Sequence, residues 1–193
     1  MEKMFFGKHA AAVVYTDLLE KTAEEQIVNM CNTEIFEGSK IRIMPDVHAG
    51  KGCTIGTTMT INKYVVPNLV GVDIGCGMYV ENIGHREIDF EKLEKVINKH
   101  VPSGFSVRQT EHEFARYVDL RQLKCFDKIK NIDRIYQSVG TLGGGNHFIE
   151  LNKSKHGIFL VIHSGSRNLG HQVCSYYQNL AINSIKEKQN KLI

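Results

Sequence analysis

Residues 71–78 (GVDIGCGM) place a carboxylate and a thiol three positions apart between closely spaced glycines. Because glycine lacks a Cβ, a loop rich in it turns sharply and lets a ligand approach the backbone. Asp73 and Cys76 could therefore aim at one point and hold a metal ion as carboxylate and thiolate. A plain glycine turn carrying a buried structural cysteine explains the same eight residues equally well.

Residues 143–150 (GGGNHFIE) bring backbone N–H groups, an amide and an imidazole together, which suits phosphate or metal binding. The alternative is an ordinary glycine turn. If the strand that follows is regular from its first residue, Asn146, Phe148 and Glu150 share one face and His147 lies on the other. The residues that bind nucleotide and the residue that binds metal would then lie on opposite faces of that strand.

Residues 162–168 (IHSGSRN) carry a histidine out of an apolar strand and an arginine to the start of a helix. Free N–H groups and the dipole at a helix N-terminus favour anions, and the guanidinium of Arg167 adds a fork that matches phosphate. A core His163 followed by an ordinary serine cap is the competing explanation.

Asp46 and His48 in MPDVHAGKG again stand beside glycines, and a loop-ordering role is favoured over direct ligation. The role of His171 is left open. The other histidines outside the motifs lie in polar segments and are expected to be solvated: His9, His85, His100, His112 and His156.

Asp73, Cys76, His147 and His163 together form a mixed oxygen, sulfur and nitrogen donor set taken from three junctions between strand and loop. By donor softness alone, such a set indicates zinc.

The 193 residues are 42% hydrophobic and 23% charged, which is ordinary for one sizeable globular domain and excludes a disordered tail, a fibre or a coiled coil. The net charge of +3 permits an anionic partner without requiring one. Five cysteines without a CxxC pair predict reduced thiols. No apolar run is long enough to span a bilayer and no secretory signal is present, so the cytoplasm is expected.

Hydrophobic periodicity and turn residues predict an α+β fold of intermingled strands and helices. Helices are expected over residues 22–30, 90–97 and from 168 onward, and a mainly helical segment over 111–140. Strands are expected over residues 41–44, ending at Pro45, and over 54–61, 69–73, 78–80, 148–151 and 158–162.

Four motifs occur in one order, MPDVHAGKG, GVDIGCGM, GTLGGGNHFIE and HSGSR, over residues 44–170. In this they resemble the RtcB family of RNA-splicing ligases, which join RNA 3′-phosphate or 2′,3′-cyclic phosphate ends to 5′-hydroxyl ends with GTP and manganese. The resemblance implies an RtcB-like fold of mixed sheets with flanking helices. It also implies a role in tRNA splicing or RNA repair.

The resemblance further implies a binuclear manganese site. Asp73, Cys76 and His147 would hold one ion, and Cys76 would bridge to a second ion that His163 also holds. Manganese then replaces zinc as the expected metal, and a bridging thiolate explains how one cysteine serves two ions.

For the nucleotide and the RNA, the resemblance implies that Asn146 contacts the nucleotide phosphate and that Phe148 and Glu150 border the guanine nucleotide. Arg167 would meet RNA or phosphate. In the family a histidine is guanylylated by GTP, the GMP passes to the RNA 3′-phosphate, and the 5′-hydroxyl then displaces GMP, with the metals as Lewis acid and template.

No residue of this chain is assigned as the guanylylated histidine, because no segment resembles the SHGAGR context of that nucleophile. Residues 1–193 are therefore predicted to be the N-terminal portion of a single RtcB-like catalytic domain, truncated at the C-terminus, with the nucleophile beyond Ile193. RNA is the expected partner, an archease-type activator is a further one, and no membrane is involved. The alternatives are a non-catalytic module that binds Mn²⁺ and RNA, and a metal-dependent phosphoesterase.

Overall fold

The computed structural model describes residues 3–50, 52–71 and 74–190. The chain divides into two compact units, Met1–Val70 and Gly71–Ile193. Each unit contains one sheet and at least one helix, so the predicted mixed α+β class is confirmed. The assignment of all 193 residues to one domain stays a prediction.

The first unit is a four-stranded sheet with one helix. The strands lie in the order β1-β2-β3-β4, and β2 and β3 are parallel while the other pairs are antiparallel. The elements are β1 (Lys3–Phe6), β2 (Ala11–Val14), α1 (Lys21–Cys31), β3 (Lys40–His48) and β4 (Ile55–Met59). The helix supplies the crossover between the parallel strands, and it packs its apolar side on them. The buried core comprises Ala12, Val14, Ala23, Ile27, Met30, Cys31, Ile41, Ile43 and Val47.

The prediction that a strand ends at Pro45 was wrong, since β3 continues through the proline to His48. The pairing with β4 shifts register between Ile43 and His48. Proline has no N–H to donate to a ladder, and an irregularity of this kind lets a strand pass through one. The residues of the MPDVH motif therefore lie within the second half of β3, at and beyond this register shift.

Over its described residues, the second unit is built on an antiparallel sheet in the order β5-β7-β6, with three α-helices. Its elements are β5 (Gly77–Gly84), α2 (Phe90–His100), α3 (Ile132–Gln137), β6 (Phe148–Ser154), β7 (Gly157–Ser164) and α4 (Arg167–Asn190). Because both edge strands run antiparallel to β7, the starts of β5 and β6 meet the end of β7 at one edge of the sheet. Every loop motif of this unit therefore opens at the same edge.

The strand predicted over 69–73 was wrong where the structure describes it, and the mainly helical segment predicted over 111–140 is confirmed only in short pieces. Part of the strand predicted over 69–73 is a 3₁₀ turn at Pro67–Val70, and Val72 and Asp73 lie outside the described residues. The segment 111–140 holds only one short α-helix, α3, among 3₁₀ turns. The side chains of His112 and Asp119 accept backbone N–H groups two residues ahead, and such local bonds compete with a continuing helix. The 3₁₀ turns span Glu113–Tyr117, Leu120–Gln122 and Phe126–Lys128.

Helix α4 is anchored by its first turns. Leu169, Val173 and Tyr176 pack against the buried core of the second unit, and the Gln172 side chain bonds both backbone groups of Lys130. That core comprises Leu120, Cys125, Ile129 and Ile135. Later apolar residues of the same helix are exposed, so α4 buries an apolar face only near its start. None of the five cysteines, all of which the structure describes, forms a disulfide. None of the described helices is both long and apolar enough to span a membrane.

Candidate metal centre

Three metal-capable side chains of the second unit converge at the edge of the β5-β7-β6 sheet. Cys76 directly precedes β5, His147 directly precedes β6, and His163 lies one residue before the end of β7. The ligand atoms of the three lie within 4.8 Å of one another, and Cys76 Sγ is 3.4 Å from His147 Nε2. A thiol and two imidazoles at these separations could share one metal ion.

Backbone carbonyls determine which nitrogen of each imidazole faces the thiol. Nδ1 of His147 donates to the carbonyl oxygen of Leu142 at 3.0 Å, and Nδ1 of His163 donates to that of Asn146 at 2.9 Å. Because a carbonyl oxygen only accepts, each neutral ring carries its proton on Nδ1 and leaves a lone pair on Nε2. Histidines that bind metals are normally oriented by such a bond from the other nitrogen.

Aromatic packing further fixes the ring of His163. Phe148 is its direct cross-strand partner, and the two rings meet edge to face with centroids 5.5 Å apart. The His147 ring also packs edge to face with His163, with centroids 5.2 Å apart. Ser164 donates to the same Leu142 carbonyl that holds His147, at 2.7 Å. The two imidazoles are thus preorganised by backbone carbonyls and by the aromatic ring of Phe148.

Two motif glycines provide the space for this arrangement. A Cβ at Gly165 would lie 2.7 Å from Cys76 Sγ and 3.4 Å from His147 Nε2. Gly143 has a φ of 101°, and a Cβ there would collide with the guanidinium of Arg167 and with His147 Nδ1. Any larger residue at either position would have to displace a ligand or the arginine.

The other predicted site residues do not all lie in this cluster of metal-capable side chains. Asp73, the predicted carboxylate ligand, lies outside the described residues. Asn146 is exposed and holds His163 through its backbone carbonyl. Exposed Glu150 accepts from the Asn152 side chain at 2.9 Å. Of the predicted ligands, the described residues therefore bring together one thiol and two imidazoles.

The alternation predicted from residue 146 does not apply, because β6 begins only at Phe148. His147 precedes the strand and turns toward the thiol. Directly opposed residues of an antiparallel pair point to one face, so Phe148 lies on the same face as His163, and Glu150, two positions along, lies there too. The predicted nucleotide residues and the predicted metal residues consequently do not separate onto opposite faces.

Arg167 is the first residue of α4 and adopts a left-handed φ of 59°. Its Nη2 donates to the carbonyl of Gly104 at 2.6 Å, and its buried Nε has no hydrogen-bond partner among the described residues. A cleft of about 720 Å³ opens beside it, and Arg134 and His171 also line that cleft. Non-glycine residues in the left-handed region are uncommon and concentrate at functional sites.

In the first unit, His48 Nδ1 donates to the Asp46 carbonyl at 3.0 Å. The Gln26 side chain donates to the Gly50 carbonyl at 2.7 Å and accepts from its N–H at 3.2 Å. These contacts are of the loop-ordering kind predicted for this pair. Of the histidines expected to be solvated, His85, His100 and His156 are exposed, whereas His9 and His112 are half-buried.

Sequence reasoning missed four contributors to the site. The Leu142 carbonyl acts through the backbone, so its residue type carries no signal. Arg134 and Phe105 line the cleft beside Arg167 but belong to no glycine motif. Gly165 was visible within HSGSR, where a glycine between a histidine and an arginine marks a close approach.

The comparisons with known proteins agree with the motif order. The family model described as "tRNA-splicing ligase RtcB" matches residues 26–193. The "RNA-splicing ligase RtcB" of Escherichia coli is 31% identical over 191 residues, which cover 88% of this chain and 46% of that protein. The "tRNA-splicing ligase RtcB" of Archaeoglobus fulgidus is 30% identical, and the match covers 91% of this chain and 47% of that protein. The protein of the same name from Methanococcus maripaludis is 28% identical, and the match covers 93% of this chain and 49% of that protein. This chain spans about half the length of these relatives, and it belongs to the RtcB family.

Proposed function

We propose that this chain supplies the metal-binding and RNA-end-binding residues of a GTP- and manganese-dependent RNA ligase. Such a ligase joins 3′-phosphate or 2′,3′-cyclic phosphate ends to 5′-hydroxyl ends through a guanylylated histidine. The observation that carries the proposal is the convergence of Cys76, His147 and His163 with both Nδ1 atoms committed to backbone carbonyls. Membership of a family whose relatives are named RNA-splicing ligases supports it.

Manganese would be held by Cys76, His147 and His163, with Asp73 as a further ligand. The described donors fit a divalent ion, since each imidazole donates from Nδ1 to a backbone carbonyl, which makes Nε2 the ligand atom, and the thiol is exposed at the edge of the sheet. A bound ion would act as a Lewis acid on phosphate oxygens and as a template for the reacting ends. Thiolate and imidazole also suit zinc, so manganese is the part of the proposal that requires a direct test.

The remaining residues of the site would position the substrates. Phe148 and Glu150 lie on the face of His163 and would border the guanine nucleotide, and Asn146 would contact its phosphate. Arg167 would bind an RNA phosphate with the guanidinium N–H groups that its bond to Gly104 leaves over. An archease-type protein is proposed as an activator. The guanylylated histidine is assigned to none of the residues described.

The experiment uses an end-labelled RNA with a 2′,3′-cyclic phosphate, a second RNA with a 5′-hydroxyl, and Mn²⁺ with or without GTP. The full chain is assayed alone and mixed with the part of the Escherichia coli relative that the match leaves uncovered. Joined RNA that requires GTP, and that Cys76→Ala and His163→Ala abolish, is the expected result. His156→Ala is the matched control, because His156 is exposed and outside the metal cluster.

The same assay separates the two alternatives. Opening of the cyclic phosphate without GTP would identify a metal-dependent phosphoesterase, because an activated water needs no histidine nucleophile. Binding of Mn²⁺ and RNA without turnover in either mixture would identify a binding module. Either result would refute the ligase proposal.

A further inference from the structure

The cleft beside Arg167 is suited to a polyanion. Arg134, Arg167 and His171 line it with basic side chains, and Gly144 and Gly145 contribute a surface without side chains. None of the residues that line it, all of which the structure describes, carries a carboxylate. Each guanidinium has five N–H donors, and a single hydrogen bond to a carbonyl occupies one donor in each. Both arginines therefore keep donors for phosphate oxygens.

Phe105 stands at this cleft and is 96% exposed as a residue. The backbone beneath the ring is anchored on both sides. The Gly104 N–H donates to the Gly143 carbonyl at 2.7 Å, and Arg167 donates to the Gly104 carbonyl at 2.6 Å. Arg134 donates to the carbonyl of Phe105 itself, also at 2.6 Å. The two arginines that make the cleft basic thus also fix the backbone that carries the exposed Phe105 ring.

We infer that Phe105 is a stacking platform for an unpaired nucleobase of an RNA strand whose phosphates lie in the cleft against Arg134 and Arg167. Every base has a π-face, and single-stranded nucleic acids are bound by aromatic rings placed along a basic groove. Bases inside a duplex are already stacked, so the platform selects single-stranded ends. The inference rests on the proposed function and names the strand-binding part of the same site.

A substitution at this position supplies its own probe. The chain contains no tryptophan, so the indole of a Phe105→Trp variant can be excited selectively. Short single-stranded RNA is expected to quench its fluorescence. An abasic strand of equal length and charge, inorganic phosphate and a blunt duplex are expected to leave it unchanged. Phe90→Trp is the matched control, since Phe90 is also exposed but does not line this cleft.

Affinity for single-stranded RNA gives a second measurement, by fluorescence anisotropy of a labelled strand. Phe105→Ala should raise Kd by about 5- to 150-fold, the usual loss of affinity when one stacked base is released. Phe105→Tyr should bind like the unmodified chain, and Phe105→Leu should bind like Phe105→Ala because it keeps apolar area but not the π-face. Affinity for the abasic strand should be the same in all variants. The thermal midpoint should not move, because the ring is exposed.

The outcomes distinguish this inference from the function on which it rests. RNA binding with unchanged Phe105→Trp fluorescence would overturn the stacking platform and leave the ligase proposal standing. Equal quenching by the abasic strand would also overturn it, since the cleft would then recognise phosphate alone. Failure of the unmodified chain to bind any RNA would overturn both.

Discussion

Replacing Gly165 with alanine tests the metal centre with one added methyl group. That Cβ would lie 2.7 Å from Cys76 Sγ, whereas ordinary van der Waals contact begins at 3.4 Å. The thiol must therefore retreat by about 0.7 Å, because overlap at this range is strongly repulsive. Distances from metal to ligand hold within about 0.2 Å. The displacement consequently exceeds what the coordination can absorb.

We expect Gly165→Ala to weaken Mn²⁺ binding by at least about 10- to 100-fold, the loss typical of disturbing the residues around a metal ligand. The backbone at Gly165 is not in the left-handed region, so the added methyl acts through this contact and not through strain. Gly77→Ala is the matched control. Gly77 adjoins Cys76 and is also outside the left-handed region, but a Cβ there would have no neighbour within 4 Å.

The assay is a titration of Mn²⁺ followed by the electron paramagnetic resonance signal of the free ion, with circular dichroism to verify folding. Unchanged affinity in a folded Gly165→Ala chain would refute the geometry derived for Cys76 and His147. An equal loss in Gly77→Ala would show that the effect comes from the backbone of the 71–78 loop.

Further predictions concern the thiols and the metal. Iodoacetamide should modify exposed Cys76 well before the buried cysteines, and saturating Mn²⁺ should protect it; equal labelling with and without the ion would argue against thiolate ligation. Zn²⁺ should displace Mn²⁺ from the centre, since thiolate and imidazole sites follow the order of affinities in which zinc exceeds manganese; a free-Mn²⁺ signal that does not return on adding Zn²⁺ would contradict this. Burial raises the pKa of the Cys31 thiol above its ordinary value of 9.0, so its contribution to stability is complete below that value and is lost as the pH rises through the raised pKa. The difference in urea midpoint between the unmodified chain and Cys31→Ala should therefore stay constant below about pH 9 and shrink as the pH rises above it. A difference that stays constant above about pH 9 would refute the assignment.

The three glycine motifs of the second unit contact one another around Cys76, His147 and Arg167. Gly143 makes room for the arginine and His147 at the same point, and Gly165 makes room for the thiol. Ser166 donates to the carbonyl of Ile74, and so connects the start of α4 to the loop that carries Cys76. Each of the three motifs thus helps to position a residue that belongs to another motif.

Local sequence patterns predicted the regular elements where hydrophobic periodicity and a cap coincided. Helix α2 is an example, because Asp89 accepts from the Lys92 N–H as its cap and the apolar residues that follow recur at helical spacing. The strands β6 and β7 were found because apolar runs ended at polar turn residues. Over 111–140 the same criteria predicted helix, and the structure divides that segment into short turns, two of which begin where the side chains of His112 and Asp119 accept nearby backbone N–H groups.

Composition and spacing within a few residues were enough to predict the α+β class and the residue types capable of chemistry. The turn of His147 toward Cys76 and His163 could be read only from the three-dimensional structure, because it depends on the start of β6 and on the Leu142 carbonyl. That structure alone placed Phe105 and Arg134 beside Arg167, residues separated by tens of positions along the chain. The register of an antiparallel sheet and the bonds between its loops make such contacts, and neither can be read from a local pattern.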